Sequence, residues 1–405
     1  MSRKRTEAER YRESVPALLQ WYSYNARILP WRDDPTPYHV WISEIMLQQT
    51  RVEAVRGYYD RFLAEFPTVR AVAEASEDRL IKLWEGLGYY SRVRNIAKAA
   101  KVLCERYGGK LPGDYASLRE LPGIGDYTAG AIASIAFGQC VPAVDGNVLR
   151  VFARLTAYRD DIRSERFKKH VREMLTEAME VGIGRGSTAA GHFNRAAGHF
   201  NQAVMDIGAT VCIPNGKPHC DVCPLAHLCG AYAEDMTDKI PRKAEKKTRP
   251  VQKKTVLLIT DGEHILLHRR PEQGLLAGMW EFPNVEGHLT AGGAKKAAVE
   301  MLNAAEHLSE NAPTASESGN ACESGEFRLQ AHRLDDSRHA FSHVEWEMRG
   351  YRICIVSDRL KKDTACLDSV KSTNGTDDEY AWVTADEIEK EYGLPTAFRE
   401  FKLQL

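Results

Sequence analysis

Four cysteines fall within eighteen residues of this chain, as Cys212-x7-Cys220-x2-Cys223-x5-Cys229. Thiolates at that density suit an iron–sulfur cluster or a tetrahedral zinc site, and spacing by itself leaves both open. A second candidate is one carboxylate, Glu44, inside the apolar run Trp41-Ile-Ser-Glu44-Ile-Met-Leu47. A buried Glu is either paired or raised in pKa, and a raised pKa makes it a proton donor near neutrality. The third is Leu121-Pro-Gly123-Ile-Gly125-Asp-Tyr127-Thr-Ala-Gly130. A Gly-x-Gly turn that opens a helix bares backbone N–H groups, with no Cβ to keep a phosphate oxygen away. Twenty residues on, after an Ala-rich stretch, comes Val144-Asp145-Gly146-Asn147-Val148.

Helices must position these groups. Residues 41–47 and 96–103 carry apolar side chains at i, i+3, i+4 spacing, and Gly and Pro punctuate the chain at Pro67, Gly86, Gly88, Gly108, Pro112, Pro122 and Pro142. The first 240 residues read as an all-α domain with short connections. A near-copy, Ala-Ala-Gly-His-Phe-Asn, stands at 189–194 and again at 196–201. Seven residues are about two helical turns, so the insertion can lengthen a helix without rotating its face much. Residues 241–254 read as an exposed basic linker. Thr255-Val-Leu-Leu-Ile-Thr260, an Asp261-Gly262 turn and His264-Ile-Leu-Leu-His268 then predict a hairpin. A helix over 295–307, a polar loop over 309–326 and strands over 349–356 and 379–383 complete an α+β domain, residues 255–405.

The 405 residues suffice for two or three domains, and 43% apolar with 27% charged residues is a globular balance. No apolar run reaches the roughly 18 residues of a membrane span. The basic start Ser2-Arg-Lys-Arg5 leads into Glu7, Glu9 and Glu13, so neither a secretory signal nor a transit peptide is expected. A cytoplasmic protein is expected. The net charge of −1 resolves into +3 for residues 1–240, +6 for 241–254 and −10 for 255–405. Nine cysteines, five of them scattered (Cys104, Cys140, Cys322, Cys354, Cys366), do not make a disulfide scaffold in a chain this long.

The Gly-Ile-Gly hairpin and the Val144–Val148 stretch together resemble the helix-hairpin-helix, Gly/Pro-Asp superfamily of base-excision DNA glycosylases. The cysteine run is similar to that superfamily's iron–sulfur loop, whose first gap is usually x6 rather than the x7 found here. Leu29-Pro-Trp31-Arg32, the Glu44 helix with Gln48-Gln49-Thr50, and Gly86-Leu-Gly-Tyr89-Tyr-Ser-Arg92 resemble MutY-type adenine DNA glycosylases over nearly the whole chain.

That resemblance implies Asp145 as the catalytic aspartate, Glu44 as the acid, and Tyr127 and Asn147 as residues that position Asp145 and the sugar. It implies a 4Fe–4S cluster on Cys212, Cys220, Cys223 and Cys229, and Gly123 and Gly125 against DNA. Trp31, Arg32 and Gln202 line the adenine pocket, and Leu47, Gln49 and Tyr89 meet the opened duplex. Bifunctional relatives carry a Schiff-base Lys at position 127; a Tyr cannot form an imine, so base removal without strand cleavage is expected. Gly274-Leu-Leu-Ala-Gly278-Met-Trp-Glu-Phe-Pro283 is similar to the entry of Nudix-like folds, and His339-Ala-Phe341-Ser342-His343 to the family's Phe-Ser-His segment, with Ser342 on 8-oxoguanine. The helix that follows offers Glu300 alone where Nudix hydrolysis needs several carboxylates for magnesium. The expectation is therefore a multidomain enzyme, an all-α glycosylase domain and an α+β Nudix-like recognition domain. It hydrolyses the N-glycosidic bond of adenine opposite 8-oxoguanine or guanine in double-stranded DNA, as a nucleoid-associated monomer of bacterial type with no membrane partner. A non-catalytic damage adaptor and a nucleotide pyrophosphohydrolase are the rival classes. Glu44 and Asp145 argue against the first and the missing acidic helix against the second.

Overall fold

The computed structural model describes residues 5–184, 195–242, 248–310, 328–356 and 379–405. The chain forms two compact units, Met1–Ala75 with Ser91–Lys246, and Ser76–Tyr90 with Lys247–Leu405.

The first unit is helical: α1 (Glu7–Asn25), α2 (Pro30–Asp33), α3 (Pro37–Leu47), α4 (Val52–Glu65), α5 (Val69–Glu74), then α7 (Ser91–Tyr107), α8 (Tyr115–Arg119), α9 (Asp126–Ile135), α10 (Gly146–Thr156), α11 (Glu165–Ile183), α12 (Arg195–Thr210) and the short α13 (Gly230–Ala233). Their starts are written in the sequence. Thr6 and Glu9 make a reciprocal cap on α1, Thr36 caps α3 ahead of Pro37, and Ser164 caps α11, each cap being worth about 1 kcal/mol. The core joins α1, α10, α11 and α12 through Tyr11, stacked on Phe152 at 4.8 Å, and through Val15, Leu18, Phe167, Val171, Phe200 and Ile207. Helix α12 contains the second copy of the duplicated segment; the first, 189–194, lies outside the described residues.

The second unit contains α6 (Glu77–Trp84) and a mixed sheet, eight-stranded among the described residues: β1 (Val251–Thr260), β2 (His264–Arg269), β3 (Trp280–Glu281), β4 (Asn284–Glu286), β5 (Leu329–Arg333), β6 (Ser337–Ala340), β7 (Glu345–Ile355) and β8 (Glu379–Thr384). The main path runs β3-β2-β1-β7-β5. Strands β1 and β7 are parallel from Val251 against Glu345 to Thr260 against Cys354. The strand thus starts four residues before the predicted 255. Residues 251–254, whose composition reads as linker, are drawn into the ladder by that pairing, which no local pattern announces. In β1, Val256 and Leu258 face one core and Leu257 and Ile259 the other, so an unbroken apolar run marks a strand covered on both sides.

Helix α14 (Ala291–Glu310) covers one face with Ala294, Ala297, Ala298 and Leu302; the other is filled by Trp346, Phe282, Phe398 and Phe401, beside α15 (Ala385–Lys390) and α16 (Arg399–Lys402). On α6, Lys82 donates to the carbonyls of Ile388 and Tyr392 and pairs with Glu85, which also meets Lys402. The predicted 309–326 loop lies almost wholly outside the described residues, as do Cys322 and Cys366.

Candidate active site

Glu44 sits in the eighth position of α3, and its residue is 5% exposed. Helix periodicity turns it inward with Trp41 and Ile45, against α9. The Tyr127 hydroxyl donates to Glu44 Oε2 at 2.7 Å. Burial pushes the Glu44 carboxyl up from the ordinary 4.5 to about 7, with the bond from Tyr127 and the charge of Arg32 pulling down and Asp145 pushing further up. Burial likewise raises Tyr127, helped by the charges of Glu44 and Asp145, so the phenol stays protonated and donates.

Asp145 is the N-cap of α10. Its Oδ1 accepts from the backbone N–H of Asn147 at 2.9 Å and of Val148 at 2.8 Å, and its Oδ2 accepts from Asn147 Nδ2 at 2.7 Å. Burial pushes its pKa up while these donors pull it back. The helix N-terminus and the three donors fix the orientation of the carboxylate. Glu44 and Tyr127 both feel the charge of Asp145, so residues 101 positions apart lie in one electrostatic neighbourhood. The geometry divides the two implied positioning residues: Asn147 holds Asp145, whereas Tyr127 holds Glu44.

Arg32, on α2, donates Nη1 to Asp206 Oδ2 at 2.8 Å and Nη2 to Oδ1 at 2.9 Å. Asp206 also takes Arg27 Nε at 2.6 Å. Burial opposes the charge on Arg32, and the bond and charge of Asp206 overcome that opposition. Trp31 is buried edge-on to Tyr59 at 5.5 Å, and Gln202 Oε1, also buried, accepts from Tyr22 at 2.7 Å. Sequence reading missed Asp206, although a lone acid in the apolar run Ala203-Val-Met-Asp206-Ile207 is the same signal that marked Glu44. It also missed Arg150, which donates to Asn147 Oδ1 at 2.8 Å and to the carbonyls of Gly208 and Cys212. Gly208 lets α12 close on this group, since a Cβ there would stand 2.8 Å from Asn147 Cβ.

Gly123 has φ +75°, and a Cβ on it would stand 2.5 Å from Asn95 Cβ, so the turn needs glycine. Gly125 is the N-cap of α9, with open space where its Cβ would be. Leu47 is half-buried at the end of α3 and Gln49 exposed just beyond it. In the second unit Tyr89 is 45% exposed. Gln49 (φ 57°) and Tyr89 (φ 49°) are both left-handed without being glycine, a strain that collects at functional positions.

Cys212, Cys220, Cys223 and Cys229 line one cavity, together with Val151, Arg154 and Leu225. The longer first gap is taken up by a loop that returns through the His219 N–H to the Val211 carbonyl at 2.9 Å, so Cys212 reaches the same cavity. Arg154 Nη1 lies 3.2 Å from Cys212 Sγ. Among the described residues, no three His, Cys, Asp or Glu side chains stand close enough to hold a single metal ion.

Phe341, Ser342 and His343 form the turn between β6 and β7. Phe341 packs edge-on to Trp346 at 4.9 Å, and Ser342 and His343 are exposed, with Ser342 Oγ 3.2 Å from His343 Nδ1.

Residues 42–177 match the family described as "HhH-GPD superfamily base excision DNA repair protein", and residues 255–404 match the NUDIX domain. An adenine DNA glycosylase of Rattus norvegicus is 33% identical over 390 residues, covering 84% of this chain and 70% of that protein. The chain belongs to the adenine DNA glycosylase family. A further adenine DNA glycosylase, from Buchnera aphidicola subsp. Baizongia pistaciae, is 37% identical over 268 residues, 66% of this chain and 72% of its own length. The one from Homo sapiens is 35% identical over 323 residues, 66% of this chain and 57% of its own. Membership of the adenine DNA glycosylase family makes the fold a helix-hairpin-helix domain followed by a Nudix-like domain, and the reaction class that of base-excision repair.

Proposed function

We propose that this chain removes adenine mispaired with 8-oxoguanine or guanine in duplex DNA and leaves the strand uncut. The observation that carries this reading is the buried Glu44 held by the Tyr127 hydroxyl, both within the field of the buried, capped Asp145. Adenine inside a duplex must leave the stack to be reached, at a cost of a few kcal/mol that a mispair lessens. Leu47, Gln49 and Tyr89 would hold the opened duplex apart, while the hairpin at Gly123 and Gly125 takes a backbone phosphate. Trp31, Arg32 and Gln202 would receive the base.

Glu44, protonated because it is buried, gives its proton to adenine N7, and the base leaves neutral. The sugar left behind carries oxocarbenium character, which the Asp145 carboxylate stabilises. At ~4 Å and an effective dielectric near 20 that is worth roughly 4 kcal/mol, about a thousandfold in rate. Glu44, now ionised, takes a proton from the attacking water. Tyr127 supplies no amine, so the reaction ends in an abasic site.

Four cysteines lining one cavity supply the four thiolates that a 4Fe–4S cluster takes. Held by Cys212, Cys220, Cys223 and Cys229, such a cluster would tie the loop after α12 to α10 as a structural centre. Ser342, exposed on a hairpin turn, would reach the Hoogsteen edge of 8-oxoguanine. The second unit is read as a recognition module: Glu300 is exposed on α14, and one carboxylate does not hold the magnesium of a pyrophosphohydrolase.

The test is a duplex with one adenine opposite 8-oxoguanine, incubated with the protein and analysed with and without hot alkali. Strand breaks only after alkali are expected. Breaks without alkali overturn the monofunctional reading, and none under either condition overturns the activity. A brown, iron-containing preparation is expected, and a colourless zinc protein removes the cluster.

A further inference from the structure

We propose that Arg92 is a positioning residue that locks the turn after α3 into the shape needed to part the duplex. A helix leaves its last carbonyls without intrahelical donors. At the end of α3 one guanidinium nitrogen, Arg92 Nη1, donates to the carbonyls of Ile45 at 2.9 Å, Met46 at 2.7 Å and Gln48 at 2.7 Å, while Nη2 donates to Thr50 Oγ1 at 3.2 Å. The residue is 7% exposed, so the grip is made in a poorly solvated place where a cation at the negative end of a helix is strongly held.

First, residues 45–50 are held from the side of α7 in addition to their own turn bonds, Gln48 N–H to Ile45 and Thr50 N–H to Leu47. Second, Gln49 inside that gripped segment is left-handed at φ 57°, a conformation that costs a non-glycine residue on the order of 1 kcal/mol and persists only where its surroundings enforce it. Third, Gln48 Nε2 donates to Thr128 Oγ1 at 3.2 Å. This moors the turn beside the N-terminus of α9, next to the hairpin glycines, and so on the face where DNA would lie. Fourth, Gln48 follows Glu44 by one helical turn, so the same clamp holds both the wedge and the acid to one register.

The inference rests on the proposed glycosylase reading, and its test separates the two. Single-turnover adenine release, with enzyme in excess, is measured on two substrates. One is a fully stacked duplex with adenine opposite 8-oxoguanine; in the other the adenine lies opposite an abasic site and the stack is already open. Arg92→Met keeps the bulk and loses the grip. It is expected to slow release from the stacked duplex at least tenfold, in keeping with the large penalty for small misplacements, and to slow release from the open substrate less than about threefold. Arg92→Lys, which keeps the charge and can reach one carbonyl, is expected to recover part of the stacked-duplex rate, and it serves as the test should the Met variant not fold.

A fluorescent base beside the target, whose emission rises on unstacking, should report slower opening in both variants. Equal losses on both substrates mean that Arg92 is merely part of the core, and unchanged rates mean that the clamp is idle; either overturns the proposal. A wild-type protein inactive on both substrates brings down the glycosylase reading and the inference with it.

Discussion

The acids of the helical unit and the Phe341–His343 turn of the second unit are built on opposite plans. Glu44, Asp145 and Asp206 are each held by named donors, Tyr127, Asn147 and the arginines 27 and 32, and none can turn without breaking a bond. Ser342 and His343 are exposed, and the side-chain contact described for them is with one another. Bond breaking needs groups fixed before the substrate arrives, whereas reading a base edge tolerates a side chain that settles on contact. If this contrast is right, substitutions in the first region act on rate and substitutions in the second act on preference.

The largest effects should come from Glu44→Gln and Asp145→Asn. Each is expected to slow single-turnover release by at least about a thousandfold while mismatch binding, read by gel shift, survives. A variant that keeps the wild-type rate removes that acid from the chemistry. Asp206→Asn should come next, as a loss of stability of about 3 kcal/mol in urea titration, because it leaves Arg32 and Arg27 facing one another without their carboxylate. No change in midpoint would show the pairs to be ornamental.

The pH profile is smaller and more diagnostic. Glu44 is protonated below about 7, so release should fall about tenfold per unit as pH rises beyond that value. The native state keeps a proton that the unfolded chain has already lost, so stability should also fall as pH rises from about 4.5 to 7. Glu44→Gln should flatten that slope, and an unchanged slope assigns it to another group.

Ser342→Ala should cost about one hydrogen bond, on the order of 1 kcal/mol. It should be seen as a several-fold weaker preference for 8-oxoguanine over guanine opposite adenine, with the rate at saturating enzyme unchanged. An altered rate with intact preference would dissolve the contrast between the two regions. Glu300→Ala should change nothing measurable in adenine release, and an effect there would reopen the second unit as more than a reader.

Local pattern made part of this legible. The 3.6 period turned Glu44 inward, Gly-x-Gly marked the start of α9, and the cysteines declared one another by spacing. Groups defined by a partner from elsewhere in the chain were not legible. Arg92 and Arg150 look like ordinary helical arginines, and only the packing of α7 on α3 and of α10 on α12 shows what they hold. The early start of β1 has the same origin, since its first residues are strand because β7 pairs with them. Asp206 carries the same local signal as Glu44, a single acid in an apolar run.

The closeness of α12 to Asn147 at Gly208 has a genetic corollary. One added methyl group at residue 208 would press on Asn147, tilting the amide that steadies Asp145 without touching adenine, sugar or phosphate. A Gly208→Ala lesion would therefore surface in a mutator screen as a silent enzyme with an untouched catalytic inventory. The fault would lie in a backbone where only hydrogen fits.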